Sequence, residues 1–143
     1  MEYISHNPAE TDSIFSELAA RLRGGDLLAL YGELGSGKTT SVKAIGRFLG
    51  VKEEITSPTF VIIKNYHLAA EKNGIKELVH MDAYRLHGAS DAESVGLNDY
   101  LARSNTLTII EWPENIGSAL PQTRREIHFE HLEQDCRGIK TNF

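Results

Sequence analysis

Residues 32–40, Gly32-Glu33-Leu34-Gly35-Ser36-Gly37-Lys38-Thr39-Thr40, fit the pattern G-x-x-x-x-G-K-[ST]. Those residue types at that spacing suit a polyphosphate. Glycines let backbone N–H groups converge on anionic oxygens, a lysine reaches the terminal phosphates, and a threonine hydroxyl can ligate Mg²⁺. Such a loop holds a nucleotide without cleaving it. Hydrolysis needs a carboxylate to complete the metal shell and a group to place the attacking water. Two apolar-rich stretches end in an acid: Leu78-Val79-His80-Met81-Asp82 and Thr106-Leu107-Thr108-Ile109-Ile110-Glu111. The cleaner apolar run precedes Glu111, which is assigned to the metal, leaving Asp82 to position water or act as base. The reverse order uses the same residue types.

These groups act only if the chain positions them. Asp26 to Tyr31 is a short apolar run that suits a strand buried on both faces. Val42, Ile45 and Leu49 lie on one helical face, and Gly50 ends that helix. The loop therefore sits between strand and helix, and the helix N-terminus adds a favourable dipole for an anion. Gly35, Ser36, Gly37, Lys38, Thr39 and Thr40 are the candidate phosphate ligands. Ser57-Pro58-Thr59 falls before the next strand, where a mobile segment could bring Thr59 to metal or phosphate, although Ser-Pro also makes an ordinary turn. Trp112, the only tryptophan, follows Glu111 directly. It either packs in the core or borders the nucleotide. Arg85 suits an ion pair or a phosphate contact, and no two histidines are spaced for a zinc site.

Around this centre, Asn7, Pro8 and Glu10 form a helix-start signature, and the helix should run to Gly24-Gly25. Thr59–Tyr66 and Lys76–Met81 favour strand, with a linker-like loop over Ala69–Gly74 whose Glu71-Lys72-Asn73-Gly74 suggests an antiparallel hairpin between them. Ser90 to Glu93 reads as a second capping box on a short helix that breaks at Gly96. Thr106–Ile110 is another buried strand, and Arg124–Phe143 reads as a closing hairpin. The expected architecture is an α/β three-layer sandwich, its central sheet mostly parallel with antiparallel hairpin additions.

At 143 residues, 41% hydrophobic and 24% charged, the chain is expected to be one soluble globular domain spanning 1–143. A net charge of −5 argues against a broad basic face for nucleic acid. Cys136 is the only cysteine, so no intrachain disulfide forms, and a reducing cytoplasm fits. Neither a leader pattern nor a membrane-length apolar run is present. An N/T-K-x-D guanine-reading motif is also absent, which favours ATP over GTP. A small kinase would need an Arg-bearing lid, for which Tyr84–Ser90 is a poor candidate. A nucleotide-gated binding module stays open.

"GELGSGKTT", "SPTF" at 57–60, "HMDAYRL" at 80–86, "GLNDYL" at 96–101 and "EWPE" at 111–114 occur together in one order. This set closely resembles the bacterial TsaE (YjeE) family, over essentially the whole chain. The resemblance implies a P-loop NTPase fold and a Mg²⁺-dependent ATPase of tRNA threonylcarbamoyladenosine biosynthesis. It also implies TsaD and TsaB as partners, with tRNA reached indirectly through them. Because the sequence offers no obvious in-built arginine finger, hydrolysis by the isolated chain is expected to be weak and to rise with those partners. Carried over, Gly35 to Thr40 hold phosphates, Thr39 and Glu111 serve Mg²⁺, and Lys38 and Asp82 serve catalysis. Thr59 then belongs to a switch-like segment, and Trp112 lies beside the nucleotide. The family's adenine contacts come from the start of the first helix and the C-terminal hairpin, which directs attention to Pro8–Thr11 and Arg137 here. Glu33 stands where family members often carry Asp, keeping the charge.

Overall fold

Strand β2 (Leu27–Tyr31), which leads into the glycine-rich loop, is buried because parallel neighbours flank it on both sides. A computed structural model describes residues 1–143. On one side of β2 lies β5 (Thr106–Glu111), followed by the parallel β4 (Ile75–Asp82) and the antiparallel edge strand β3 (Ile63–Lys72). On the other side lie the parallel β6 (Arg125–His131), then antiparallel β7 (Arg137–Thr141) and β1 (Glu2–Ser5). The result is one mixed seven-stranded sheet in the order β1-β7-β6-β2-β5-β4-β3.

Side chains alternate across these strands, and the two faces bury separate cores. Leu28, Leu30, Leu78, Leu107 and Ile109 join a 19-residue cluster that includes residues of helices α1 (Pro8–Ala19) and α2 (Lys38–Leu49). Leu27, Met81 and Ile110 point the other way. They join a nine-residue cluster with Ala92 of α3 (Ala89–Ser94) and Leu97 of α4 (Leu97–Leu101). Helices thus cover both faces of the sheet, as an α/β chain with near-continuous apolar strands requires.

Helix α1 starts where its cap predicts. The Asn7 side chain accepts from the Glu10 N–H at 2.9 Å, and the Glu10 carboxylate reaches back to the His6 N–H at 2.7 Å. Helix α2 runs from the loop lysine and ends at Gly50, whose φ of +84° is the left-handed cap that glycine adopts freely.

Five local expectations are corrected. Helix α1 ends at Ala19 rather than at Gly24-Gly25, because the N–H groups of Arg21 and Leu22 turn back onto the Leu18 and Ala19 carbonyls in tighter turns. Strand β1 was not anticipated; its four residues carry too little pattern and are placed by pairing with β7. Strand β3 begins at Ile63 rather than Thr59, because the N–H groups of Val61 and Ile62 turn back onto the Pro58 carbonyl. It then continues through Ala69–Lys72, the stretch expected to be loop. Only Asn73 and Gly74 turn, both at positive φ (55° and 75°), as a tight hairpin demands. Ser90 does not cap α3. Gly88 precedes that helix, and the Asp91 carboxylate instead accepts from the His87 N–H at 2.8 Å.

Candidate functional site

The loop between β2 and α2 leaves donors free where an anion would lie. Gly37 is the N-cap of α2 at φ +106° and offers no side chain to satisfy the first turn. The N–H groups of Gly35, Gly37, Lys38, Thr39 and Thr40 have no backbone carbonyl as partner. A helix N-terminus left open in this way attracts negative charge through its unpaired donors and its dipole. Nothing lies within 4 Å of a Cβ built on Gly35, so the face of the loop there is open.

Two carboxylates meet this cradle because β4 and β5 are adjacent and in register. Asp82 pairs with Glu111, and both end their strands on the loop side of the sheet. They are buried, at 4% and 3% exposure, which charged groups accept only with partners. Glu111 finds its partners in Thr39, whose hydroxyl donates to Oε1 at 3.0 Å and lies 3.2 Å from Oε2, and in His80, whose Nε2 is 2.6 Å from Oε2. Asp82 is satisfied differently. Its Oδ2 accepts from the Thr59 hydroxyl at 2.8 Å and its Oδ1 from the Tyr84 N–H at 2.9 Å.

The Thr39 hydroxyl and Glu111 carboxylate are hard oxygen donors, the kind that Mg²⁺ takes. No cluster of three or more His, Cys, Asp or Glu side chains is present to hold a metal unaided. A divalent ion held by Thr39 and Glu111 would need further ligands from phosphate and water, which is how Mg²⁺ is commonly held.

Lys38 turns its ammonium onto the Gly32 carbonyl and under the Trp112 ring, 3.6 Å from the ring centroid. Burial pushes its pKa below the ordinary lysine value, opposed by the carboxylates of Glu111, Glu114 and Asp82. Trp112 packs against Tyr84, ring centroids 5.3 Å apart, and holds a left-handed φ of +58° immediately before Pro113. A residue preceding proline normally stays extended, so this backbone stores about 1–3 kcal/mol of strain at the edge of the site.

A cleft of about 380 Å³ gathers nearly the whole predicted set: Gly35, Gly37, Lys38, Thr39, Thr40, Thr59, Asp82, Glu111 and Trp112 all line it. Ser36 does not. Its hydroxyl is buried without a partner, and it lies 2.6 Å from where a Cβ on Gly32 would sit. An adjoining 310 Å³ hollow brings together Pro8, Thr11 and Arg137, the regions singled out from opposite ends of the chain. Arg137 also donates to the Gly35 carbonyl at 3.1 Å. Arg85 stays apart from the phosphate cradle, its guanidinium 4.7 Å from the Phe60 ring centroid.

Sequence reading missed His80. One signal was there: a histidine inside a run buried on both faces is a polar group that must find a partner.

Comparison with known proteins converges on one family. The family model described as "Threonylcarbamoyl adenosine biosynthesis protein TsaE" matches residues 5–139. A tRNA threonylcarbamoyladenosine biosynthesis protein TsaE of Bacillus subtilis is 38% identical over 133 residues, covering 93% of this chain and 79% of the relative. The Treponema pallidum TsaE is 34% identical, with 97% of this chain and 98% of the relative covered. The crystal structure of Bacillus subtilis YdiB superposes with a TM-score of 0.77 at 34% identity, covering 97% of this chain and 82% of that one. With the family model matching nearly end to end and relatives of this similarity, the chain belongs to the TsaE family of tRNA threonylcarbamoyladenosine biosynthesis proteins.

Proposed function

We propose that this chain is a single-domain P-loop ATPase, dependent on Mg²⁺, that supports threonylcarbamoyl transfer to adenosine 37 of tRNA by a TsaD–TsaB complex. The observation that carries the reading is the Thr39–Glu111 hydrogen bond set at the mouth of an open N–H cradle, with Asp82 in register beside it. Mg²⁺ held by Thr39 and Glu111 would offset charge on the phosphate oxygens as the terminal bond breaks.

The residues divide the remaining work. The N–H groups of Gly35, Gly37, Lys38, Thr39 and Thr40 bind the phosphates, and Lys38 leaves the Gly32 carbonyl and the Trp112 ring to reach them. Asp82 orients the attacking water once Thr59 releases its Oδ2. The base lies in the hollow lined by Pro8, Thr11 and Arg137, and adenine is favoured because the chain has no guanine-reading motif.

Partner dependence is supported by apolar side chains left exposed at the cleft, Leu34 at 87% and Tyr84 at 56%, and on the segment after Thr59, Phe60 at 80% and Val61 at 60%. With a net charge of −5, tRNA is reached through the partners rather than gripped directly, in the cytoplasm. No helix is long and apolar enough to cross a membrane.

One observation favours a second reading. Both Asp82 oxygens are engaged, by Thr59 and by Tyr84, so the nucleotide could gate an interface and hydrolysis be incidental. Measuring ATP turnover with and without TsaD and TsaB separates the two. Slow turnover that rises with the partners is expected. Equal rates would overturn partner activation, and no turnover in either case would favour the gated binding module.

A further inference from the structure

His80 sits near the C-terminal end of β4, two residues before Asp82, with no exposed surface, and it does not line the nucleotide cleft. Its only polar contact crosses to the neighbouring strand, where Nε2 lies 2.6 Å from Oε2 of Glu111. Nδ1 is buried and has no partner. The geometry selects the proton position. A proton on Nε2 makes a donor to the carboxylate and leaves Nδ1 as a bare acceptor. A proton on Nδ1 alone would bury an unsatisfied N–H and turn a lone pair on Nε2 toward a carboxylate oxygen.

We infer that His80 is a positioning residue for the metal carboxylate: it holds Oε2 of Glu111 and leaves Oε1 to face Mg²⁺ together with the Thr39 hydroxyl. This rests on the reading of Thr39 and Glu111 as the metal pair. The two donors reach Glu111 from different elements, Thr39 from α2 and His80 from β4. Between them they fix the carboxylate before any ion arrives. A histidine on the partner strand has a reason to be there that packing does not supply, because an apolar residue would fill the same space without needing a hydrogen bond. Outer partners of this kind set the orientation and basicity of a ligand, and their loss commonly weakens metal binding about 10–100-fold.

The test compares the wild-type chain with His80→Leu, which removes the donor, and His80→Gln, whose amide can replace it. ATP binding is measured by calorimetry over a series of Mg²⁺ concentrations and again in EDTA, alongside the Mg²⁺ concentration that gives half-maximal turnover. His80→Leu is expected to need about tenfold more Mg²⁺ or more, with ATP affinity in EDTA unchanged within about twofold and His80→Gln close to wild type. His80→Leu matching wild type in its Mg²⁺ requirement overturns the inference. Should His80→Leu not fold, His80→Asn, whose amide is too short to reach Glu111, is judged by the same two readouts. A wild-type chain that binds ATP equally well with Mg²⁺ and in EDTA overturns the reading of the metal pair itself, whatever the variants do.

Discussion

The Thr59 hydroxyl donates a 2.8 Å hydrogen bond to the Asp82 carboxylate, tying the segment after α2 to the acid at the end of β4. In this arrangement Asp82 is held but occupied. On the proposed reading, hydrolysis would require an exchange in which Thr59 moves toward metal or phosphate and Asp82 takes up water. Asp82→Asn is therefore expected to lower kcat about 100-fold or more while the affinity for MgATP changes little. Thr59→Val should also lower kcat, by a smaller factor, through loss of the hydroxyl that both anchors and releases the acid. Steady-state turnover together with calorimetric ATP binding decides the matter. Unchanged kcat in Asp82→Asn would remove Asp82 from the chemistry.

Lys38 makes a pH prediction whose sign follows from its burial. Because the folded chain lowers its pKa, the unfolded chain binds more protons between the folded value and the ordinary lysine value of about 10.4. Stability contributed at this position therefore rises with pH through that window. Relative to Lys38→Met, the wild type should gain stability as pH is raised toward the ordinary lysine range, measured by urea denaturation at several pH values. Bound phosphate favours the charged ammonium, so ATP binding in the same window should take up a proton. Calorimetry in buffers of different ionisation enthalpy would show it, and buffer-independent heats would count against the assignment.

Trp112 reports on the lysine without a label. It is the only tryptophan, and the Lys38 ammonium lies 3.6 Å from its ring centroid in this structure. Drawing Lys38 onto phosphate removes a cation from the ring face. MgATP should therefore shift the emission of the wild type, and free Lys38→Met should already emit like the ATP-bound wild type. A free Lys38→Met spectrum identical to that of the free wild type would sink the idea.

How much of this was legible in the sequence depends on how far apart the cooperating residues lie. The candidate phosphate cradle is local, the six residues Gly32–Gly37 between β2 and α2 and the first turn of that helix, and its place between strand and helix was readable because apolar run, glycines and helical spacing follow one another directly. The helix starting at Pro8 was readable for the same reason, through the Asn7 cap. His80 and Glu111 are 31 residues apart, and their contact exists only because β4 and β5 are neighbours, which residue pattern alone does not reveal. The Thr59–Asp82 bond is hidden likewise, across 23 residues. At Ala69–Lys72 local composition pointed to loop, yet the strand runs on past a register shift beyond His67 to Lys72, which pairs with Ile75 of β4.

Gly24 offers a prediction about the scaffold that leaves the site alone. A Cβ built there would meet the Gly74 carbonyl oxygen at 2.2 Å and the Ser104 carbonyl oxygen at 2.5 Å. Both are backbone atoms that no rotamer change can move. Gly24→Ala is expected to destabilise the fold by about 1–3 kcal/mol, with the nucleotide affinity of the folded fraction retained. Thermal or urea unfolding checks the first part, and calorimetric ATP binding the second.

Asp82 and Glu111 face each other across a parallel ladder, so the spacing between their backbones is set by the hydrogen-bonded distance between strands, about 4.8 Å. The gauge of the site is therefore a constant of the sheet and is immune to most side-chain substitution. Variation can alter the loops that bring substrate, base and partner to the cleft without disturbing that gauge. A single-residue insertion within either strand is different. It slips the register and turns one acid to the opposite face, so an engineer should treat β4 and β5 as one calibrated part and confine redesign to the segments beyond their ends.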